Sequence, residues 1–112
     1  MVRILVLDDD SFLRSIIVER LERAGYLVDQ ADSLKQARAH IAKHAPDLAL
    51  LDVKLPDGEG TELIAELTAL EVPVLMMTAH ATVSAAVEAL HRGARDYLEK
   101  PFSLDRLEAA LA

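Results

Sequence analysis

The chain has no cysteine and no tryptophan, two tyrosines and two phenylalanines, and 12 basic residues against 19 acidic ones. Without cysteine there is no disulfide, no thiol nucleophile and no thiolate metal site, which fits a reducing cytoplasm. Aromatics at 4% leave little with which to wall a flavin. A net charge of −7 repels nucleic-acid phosphates and anionic membrane surfaces, so any DNA contact falls to another domain or chain. No apolar run approaches the roughly 20 residues of a membrane helix. The start of the chain, one arginine and a short apolar run before three aspartates, does not read as a signal peptide.

What is present is apolar residue in quantity, 52% of 112 positions, enough for one core and one domain over residues 1–112. There is no internal repeat, linker or low-complexity stretch. Strand and helix patterns alternate five times, the mark of a parallel sheet with helices on both faces. The patterns predict strands β1 to β5 over residues 2–7, 26–31, 47–51, 72–77 and 96–99. Helices α1 to α5 are expected over about 11–24, 34–44, 60–70, 82–92 and 104–111. Asp10 or Ser11 would cap α1, Ser33 would cap α2, and Gly25 and Gly93 would terminate α1 and α4. Pro56-Asp57-Gly58 reads as a turn, since proline fixes φ and glycine accepts φ > 0. Leu13, Ile16, Ile17, Arg20, Leu21 and Ala24 of α1 fall at helical spacing. Leu63, Ile64, Leu67 and Leu70 of α3, and Val83, Val87 and Leu90 of α4, are expected to face inward. The alternation in β2 marks it as an edge strand. The chain ends where α5 would leave the domain, so a longer parent protein is expected.

Apolar runs end in a chemically related set of polar residues. Asp8 and Asp9 follow Ile4–Leu7, Asp52 follows Leu48–Leu51, Thr78 follows Val74–Met77, and Lys100-Pro101 follow β5. The flavodoxin-like doubly wound α/β order for five strands is 2-1-3-4-5, with its switch point between β1 and β3. On that order the aspartates converge at the C-terminal edge of the sheet, where such folds place their ligands. Three carboxylates, an ammonium and a hydroxyl suit a divalent cation and a phosphoryl group. Mg²⁺ takes hard oxygen ligands and retains waters, so one or two carboxylates plus a phosphoryl oxygen satisfy it. Asp52 is then placed to act as a nucleophile that becomes an aspartyl phosphate. Asp8–Asp10 alone would read as a cap and turn cluster. Four matching strand ends favour chemistry.

The stretches Val6-Leu7-Asp8-Asp9-Asp10, Leu51–Gly58, Met77-Thr78-Ala79, Gly93–Leu98 and Lys100-Pro101-Phe102, taken in order, resemble the receiver domain of two-component response regulators. The likeness runs from residue 2 to about residue 111. It implies that Asp52 is the phosphoacceptor and that Asp9, Asp52 and the Lys54 main-chain carbonyl are Mg²⁺ ligands. Asp8 would act mostly through metal-bound water. It further implies that Lys100 pairs with the phosphoryl group across a cis Lys100-Pro101 bond, and that Thr78 and Tyr97 are a switch pair. Ser11 stands where many relatives have proline, and both suit a helix start. Lys54 and His80 occupy variable positions flanking the phosphoryl group. The segment from Thr78 to Ala89 is similar to receivers attached to sigma-54-dependent transcription activators.

The implied function is a cytoplasmic, phosphorylation-driven switch, with no catalysis beyond its own phosphotransfer and autodephosphorylation. A sensor histidine kinase would supply the phosphoryl group. The α4-β5-α5 face would signal to an output domain or partner, with transcriptional control as the expected outcome. The resemblance leaves open a homodimer formed on phosphorylation, and implies no nucleic-acid or membrane binding by this domain. A flavodoxin-like electron carrier would need uncharged phosphate loops and aromatic walls. An aspartate-based phosphohydrolase would normally carry a second acid where Lys54 stands. A never-phosphorylated interaction module is opposed by the complete acid set. His40 and His44, at i and i+4, read as exposed helix surface, and His91 and Arg92 as complements to the α4 dipole. Ala81, Ala85 and Ala89 give α4 a smooth flank that suits docking.

Overall fold

The apolar runs form strands buried on both faces, as expected for the interior of a parallel sheet. The computed structural model describes residues 1–79 and 82–111, apart from the Val83 side chain. In it β1 spans Arg3–Leu7, β2 Leu27–Ala31, β3 Leu48–Asp52, β4 Val74–Thr78 and β5 Asp96–Glu99. All pair in parallel, in the order β2-β1-β3-β4-β5. This is the doubly wound order expected from the sequence. β2 lies at an edge, in keeping with its alternating pattern.

Successive side chains of a strand point to opposite faces, and this divides the core in two. Ile4, Val6, Leu48, Leu50, Leu75 and Met77 pack with Ile17, Leu21 and Leu107, that is, against α1 (Ser11–Arg23) and α5 (Leu104–Leu111). Leu5, Leu7, Ala49, Leu51, Val74 and Met76 pack with Ala37, Ile64, Leu67 and Ala89 on the other face. Those belong to α2 (Leu34–Lys43), α3 (Ile64–Ala69) and α4 (Val83–Arg92).

The helix ends follow local chemistry. The Asp10 carboxylate accepts from the amides of Phe12 and Leu13, and the Ser33 hydroxyl accepts from Gln36. Gly93 terminates α4 at φ +117, a left-handed conformation that glycine adopts without a Cβ clash.

Several expectations are corrected. The helix expected from residue 60 begins as a 3-10 turn, Gly60–Leu63, before α3 proper. A short antiparallel hairpin, Lys54–Leu55 with Gly58–Glu59, surrounds the Pro56-Asp57 turn. Leu70 is 51% exposed because the helix ends at Ala69 and the chain turns away. Among the described side chains of α4 the buried one is Ala89, whereas Val87 and Leu90 are 45% and 46% exposed. The small side chain lets α4 approach the sheet, so the expected alanine docking flank is turned toward the core at Ala89. Ala81, His80 and the Val83 side chain lie outside the described residues.

Candidate acidic phosphoryl and metal site

Strand alternation aims the site residues in two directions. Asp52 ends β3 in the alternation of Leu48 and Leu50, toward the α1/α5 face. Thr78 ends β4 in the alternation of Val74 and Met76, toward the α4 face. Register sets Tyr97 opposite Met76 and Glu99 opposite Thr78, so Thr78 and Tyr97 are diagonal neighbours on one face. Their side chains are hydrogen-bonded. Burial pushes the Tyr97 phenol above its ordinary value, and the bond to Thr78 opposes that shift.

Asp8 is fully buried and Thr78 nearly so, while Asp9 is exposed at the rim. Lys100 Nζ lies 2.9 Å from Asp8 Oδ2 and 3.0 Å from Asp52 Oδ2, across the cis Lys100-Pro101 bond implied by the family resemblance. Asp8 Oδ1 accepts from the Asp10 amide at 2.9 Å. Among the described residues, no buried side-chain nitrogen or oxygen is left without a partner. That is what a buried charge requires to be tolerated.

Burial pushes the Asp52 carboxyl up to about 6; the Lys100 hydrogen bond opposes this, and the Asp8 charge adds to it. Burial pulls the Lys100 ammonium down, but hydrogen bonds to Asp8 and Asp52 outweigh it and its pKa is raised. One ammonium thus bonds two carboxylates.

Asp8, Asp9 and Asp52 each offer an oxygen, and these lie within 4.8 Å of one another. The cluster opens on a cleft of about 280 Å³ that is also lined by Lys54, Thr78 and Lys100. Clustered hard oxygens, one at a solvent-open rim, fit a divalent cation that keeps several waters. His40 and His44 are not part of this cluster.

Two close supports were not legible in the sequence. Arg14, in the first turns of α1, donates a guanidinium N–H to the Asp8 carbonyl. Gly60 is buried against the end of β3, where an added Cβ would fall 1.9 Å from the Asp52 carbonyl oxygen. Its amide donates to Val53 at 2.7 Å, folding the loop back over the site. A cation at i+6 from Asp8 was the available signal for Arg14. For Gly60 the signal was a second glycine two positions after the turn.

Fold and site together define a doubly wound α/β domain with an acidic cleft, closed by a lysine, at its switch point. The sequence matches the family model of the response regulator receiver domain over residues 4–112. The chain belongs to that family. It is 36% identical over 111 residues to the transcriptional regulatory protein PhoP of Escherichia coli (strain K12), covering 97% of this chain and 50% of that protein. Against the virulence transcriptional regulatory protein PhoP of Salmonella typhimurium (strain LT2) it is 36% identical over 113 residues, covering 99% and 50%. The chain spans about half the length of the curated relatives it matches.

A crystallised response regulator from Burkholderia pseudomallei, with a phosphorylated aspartic acid, calcium ion and citrate, superposes with a TM-score of 0.92 at 32% identity. The match covers 100% of this chain and 67% of that one. The beryllofluoride-activated NtrC4 receiver domain dimer, solved in solution, gives 0.92 at 35% identity, covering 99% and 93%.

Proposed function

We propose that Asp52 accepts a phosphoryl group from a phosphohistidine of a sensor kinase, and that the resulting charge switches the α4-β5-α5 face. The observation that carries this reading is the Asp8–Asp9–Asp52 oxygen cluster with Lys100 Nζ 3.0 Å from Asp52. An Asp52 oxygen attacks phosphorus, the P–N bond of the donor breaks, and the imidazole nitrogen leaves with the bond's electron pair. Lys100 sits where negative charge gathers on the transferred oxygens. Bound Mg²⁺ would supply further charge neutralisation, held by Asp9, Asp52 and the Lys54 carbonyl, with Asp8 acting through water. The Burkholderia protein's phosphorylated aspartic acid and calcium ion support this assignment by analogy.

Phosphorylation replaces the single carboxylate charge of Asp52 with the larger charge of a phosphoryl group, a net gain of about 0.5–1 negative charge beside Thr78. The Thr78 hydroxyl exchanges its Tyr97 partner for a phosphoryl oxygen, and the Tyr97 ring turns further inward. The new charge shifts a two-state equilibrium of α4 and β5. The chain is then a switch and not an enzyme with turnover on other substrates. Its output is a further domain or partner that controls transcription, and phosphorylated copies are candidates to dimerise; the beryllofluoride-activated NtrC4 receiver domain is a dimer. No helix among the described residues is long and apolar enough to cross a membrane.

The test is intact mass after incubation with Mg²⁺ and acetyl phosphate. One added phosphoryl group is expected, lost in Asp52→Asn. Equal labelling of that variant would overturn the assignment.

A further inference from the structure

The loop that follows Asp52 is pinned at its far end by a carboxylate. Asp57 Oδ1 accepts from the Leu34 amide at 2.8 Å, and Oδ2 accepts from the Lys35 amide at 3.0 Å. These are unpaired amides of the first turn of α2, which lies 22 or more positions earlier in the chain. The same helix has a local cap of its own, Ser33, so the Asp57 contact is additional to ordinary capping.

Asp57 is the second residue of the Pro56-Asp57 turn, and the hairpin pairs Lys54 with Glu59 and Leu55 with Gly58. Gly58 holds φ +148 close against the neighbouring groups. A Cβ there would lie 2.5 Å from Glu62 Oε2 and 2.7 Å from Leu34 Cδ1. At the other end, the Gly60 amide donates to Val53. The Lys54 backbone is therefore held between an anchored turn and the end of β3.

We infer that Asp57 is a positioning residue: by clamping the hairpin to the N-terminus of α2, it fixes the Lys54 main-chain carbonyl in the metal site. This rests on the reading of Lys54 as a carbonyl ligand. A backbone ligand has no rotamer to adjust, so its placement depends on what anchors its loop. Asp57 is itself exposed and touches none of Asp8, Asp9 and Asp52 in any hydrogen bond or ion pair described above. The hydrogen bonds from the α2 amides hold its carboxyl below the usual range, so the clamp is charged at neutral pH.

The experiment is Mg²⁺ titration by calorimetry of the whole chain and three variants, with amide shifts of Val53, Lys54 and Leu55 followed by NMR. Asp57→Ala should weaken Mg²⁺ by about tenfold, the lower end of the cost of removing support behind a metal ligand. Asp57→Asn keeps one acceptor oxygen but turns an NH2 donor toward the second amide, so it should weaken Mg²⁺ measurably and by less than Asp57→Ala does. Ser33→Ala loosens the same helix end without touching the hairpin and should leave Mg²⁺ affinity unchanged. Unchanged affinity in Asp57→Ala overturns the inference. So does equal weakening in Ser33→Ala, which would make the effect one of helix stability. Equal weakening in Asp57→Asn and Asp57→Ala also overturns it, because only the charge would then matter. If Asp57→Ala does not fold, the Asp57→Asn affinity together with the Lys54 amide shifts decides the matter. A parent chain that binds no Mg²⁺ overturns the site reading and this inference with it.

Discussion

Lys100 Nζ stands 3.0 Å from Asp52 Oδ2, joining the loop after β5 to the end of β3 across 48 positions of sequence. With the second bond to Asp8, this one ammonium ties together both sides of the switch point. It also sets the electrostatics of the cleft, because burial alone would raise Asp52 further than it does. The ionised pocket is held, but not fully compensated.

Stability without metal should fall as pH rises from about 4 to about 6. Asp52 has an ordinary value of 3.8 and is pushed up to about 6 when folded. Between these the folded state binds the extra proton, so its contribution is complete below the first value and lost above the second. Its size is on the order of 1–3 kcal/mol. Urea unfolding of the parent and Asp52→Asn across this range checks it, since the difference between them should carry the slope. Parallel curves would contradict the assignment.

Removing the ammonium should cost more than a surface ion pair would. Lys100→Met keeps the aliphatic bulk but leaves Asp8 and Asp52 facing each other without a counter-charge. A loss of about 2–4 kcal/mol is expected at pH 7.5, shrinking toward pH 5 as Asp52 protonates. Denaturant midpoints at the two pH values give the comparison. A loss that does not depend on pH would point to packing instead.

Gly60→Ala should damage the site as well as the fold, because its Cβ would fall 1.9 Å from the Asp52 carbonyl oxygen. A destabilisation of about 2 kcal/mol or more and slower labelling by acetyl phosphate are expected. Gly25→Ala is the contrast. It is strained at φ +95 but meets nothing within 4 Å, so it should lose about 1 kcal/mol and label normally.

Thr78→Ala should uncouple the site from α4. The variant should still accept a phosphoryl group on Asp52, while the shifts on α4 and β5 induced by beryllofluoride shrink to a fraction of the parent's. Loss of the Thr78 bond should also leave the Tyr97 phenol with a higher pKa, measurable by ultraviolet titration, because burial would then act without that opposing bond. Full-sized shifts in the variant would place the coupling elsewhere.

Millimolar Mg²⁺ should stabilise the parent by about 1–3 kcal/mol if binding is submillimolar, since the unfolded chain has no assembled site. Asp9→Asn removes an exposed member of the oxygen cluster and should reduce that gain while leaving the metal-free protein as stable or more so. Unfolding with and without Mg²⁺ at fixed ionic strength tests both parts. Equal gains in the two proteins would remove Asp9 from the site.

Much of this protein is legible as sequence for a simple reason. In a parallel sheet buried on both sides, each strand is a nearly unbroken apolar run, and the first polar residue after it marks the ligand edge. Asp8, Asp52 and Thr78 each stand at the end of such a run and Lys100 follows the more polar edge strand β5, so the site residues and the strand order could be expected together. Caps were equally visible, since Asp10 and Ser33 act on amides two or three positions ahead.

What the sequence by itself determined, then, was the succession of elements and the chemical set at their ends, because both depend on neighbours along the chain. Tertiary structure decided the rest. Helical spacing alone suggested Val87 and Leu90 as core, but the packed helix buries Ala89 and leaves Val87 and Leu90 outside. Only the packed fold shows that Gly60 lies against the Asp52 carbonyl, that Arg14 holds the Asp8 carbonyl, and that Asp57 reaches back to α2. The Asp57 contact spans 23 positions and the other two join separate elements six and eight positions apart, so no helix or strand periodicity records them.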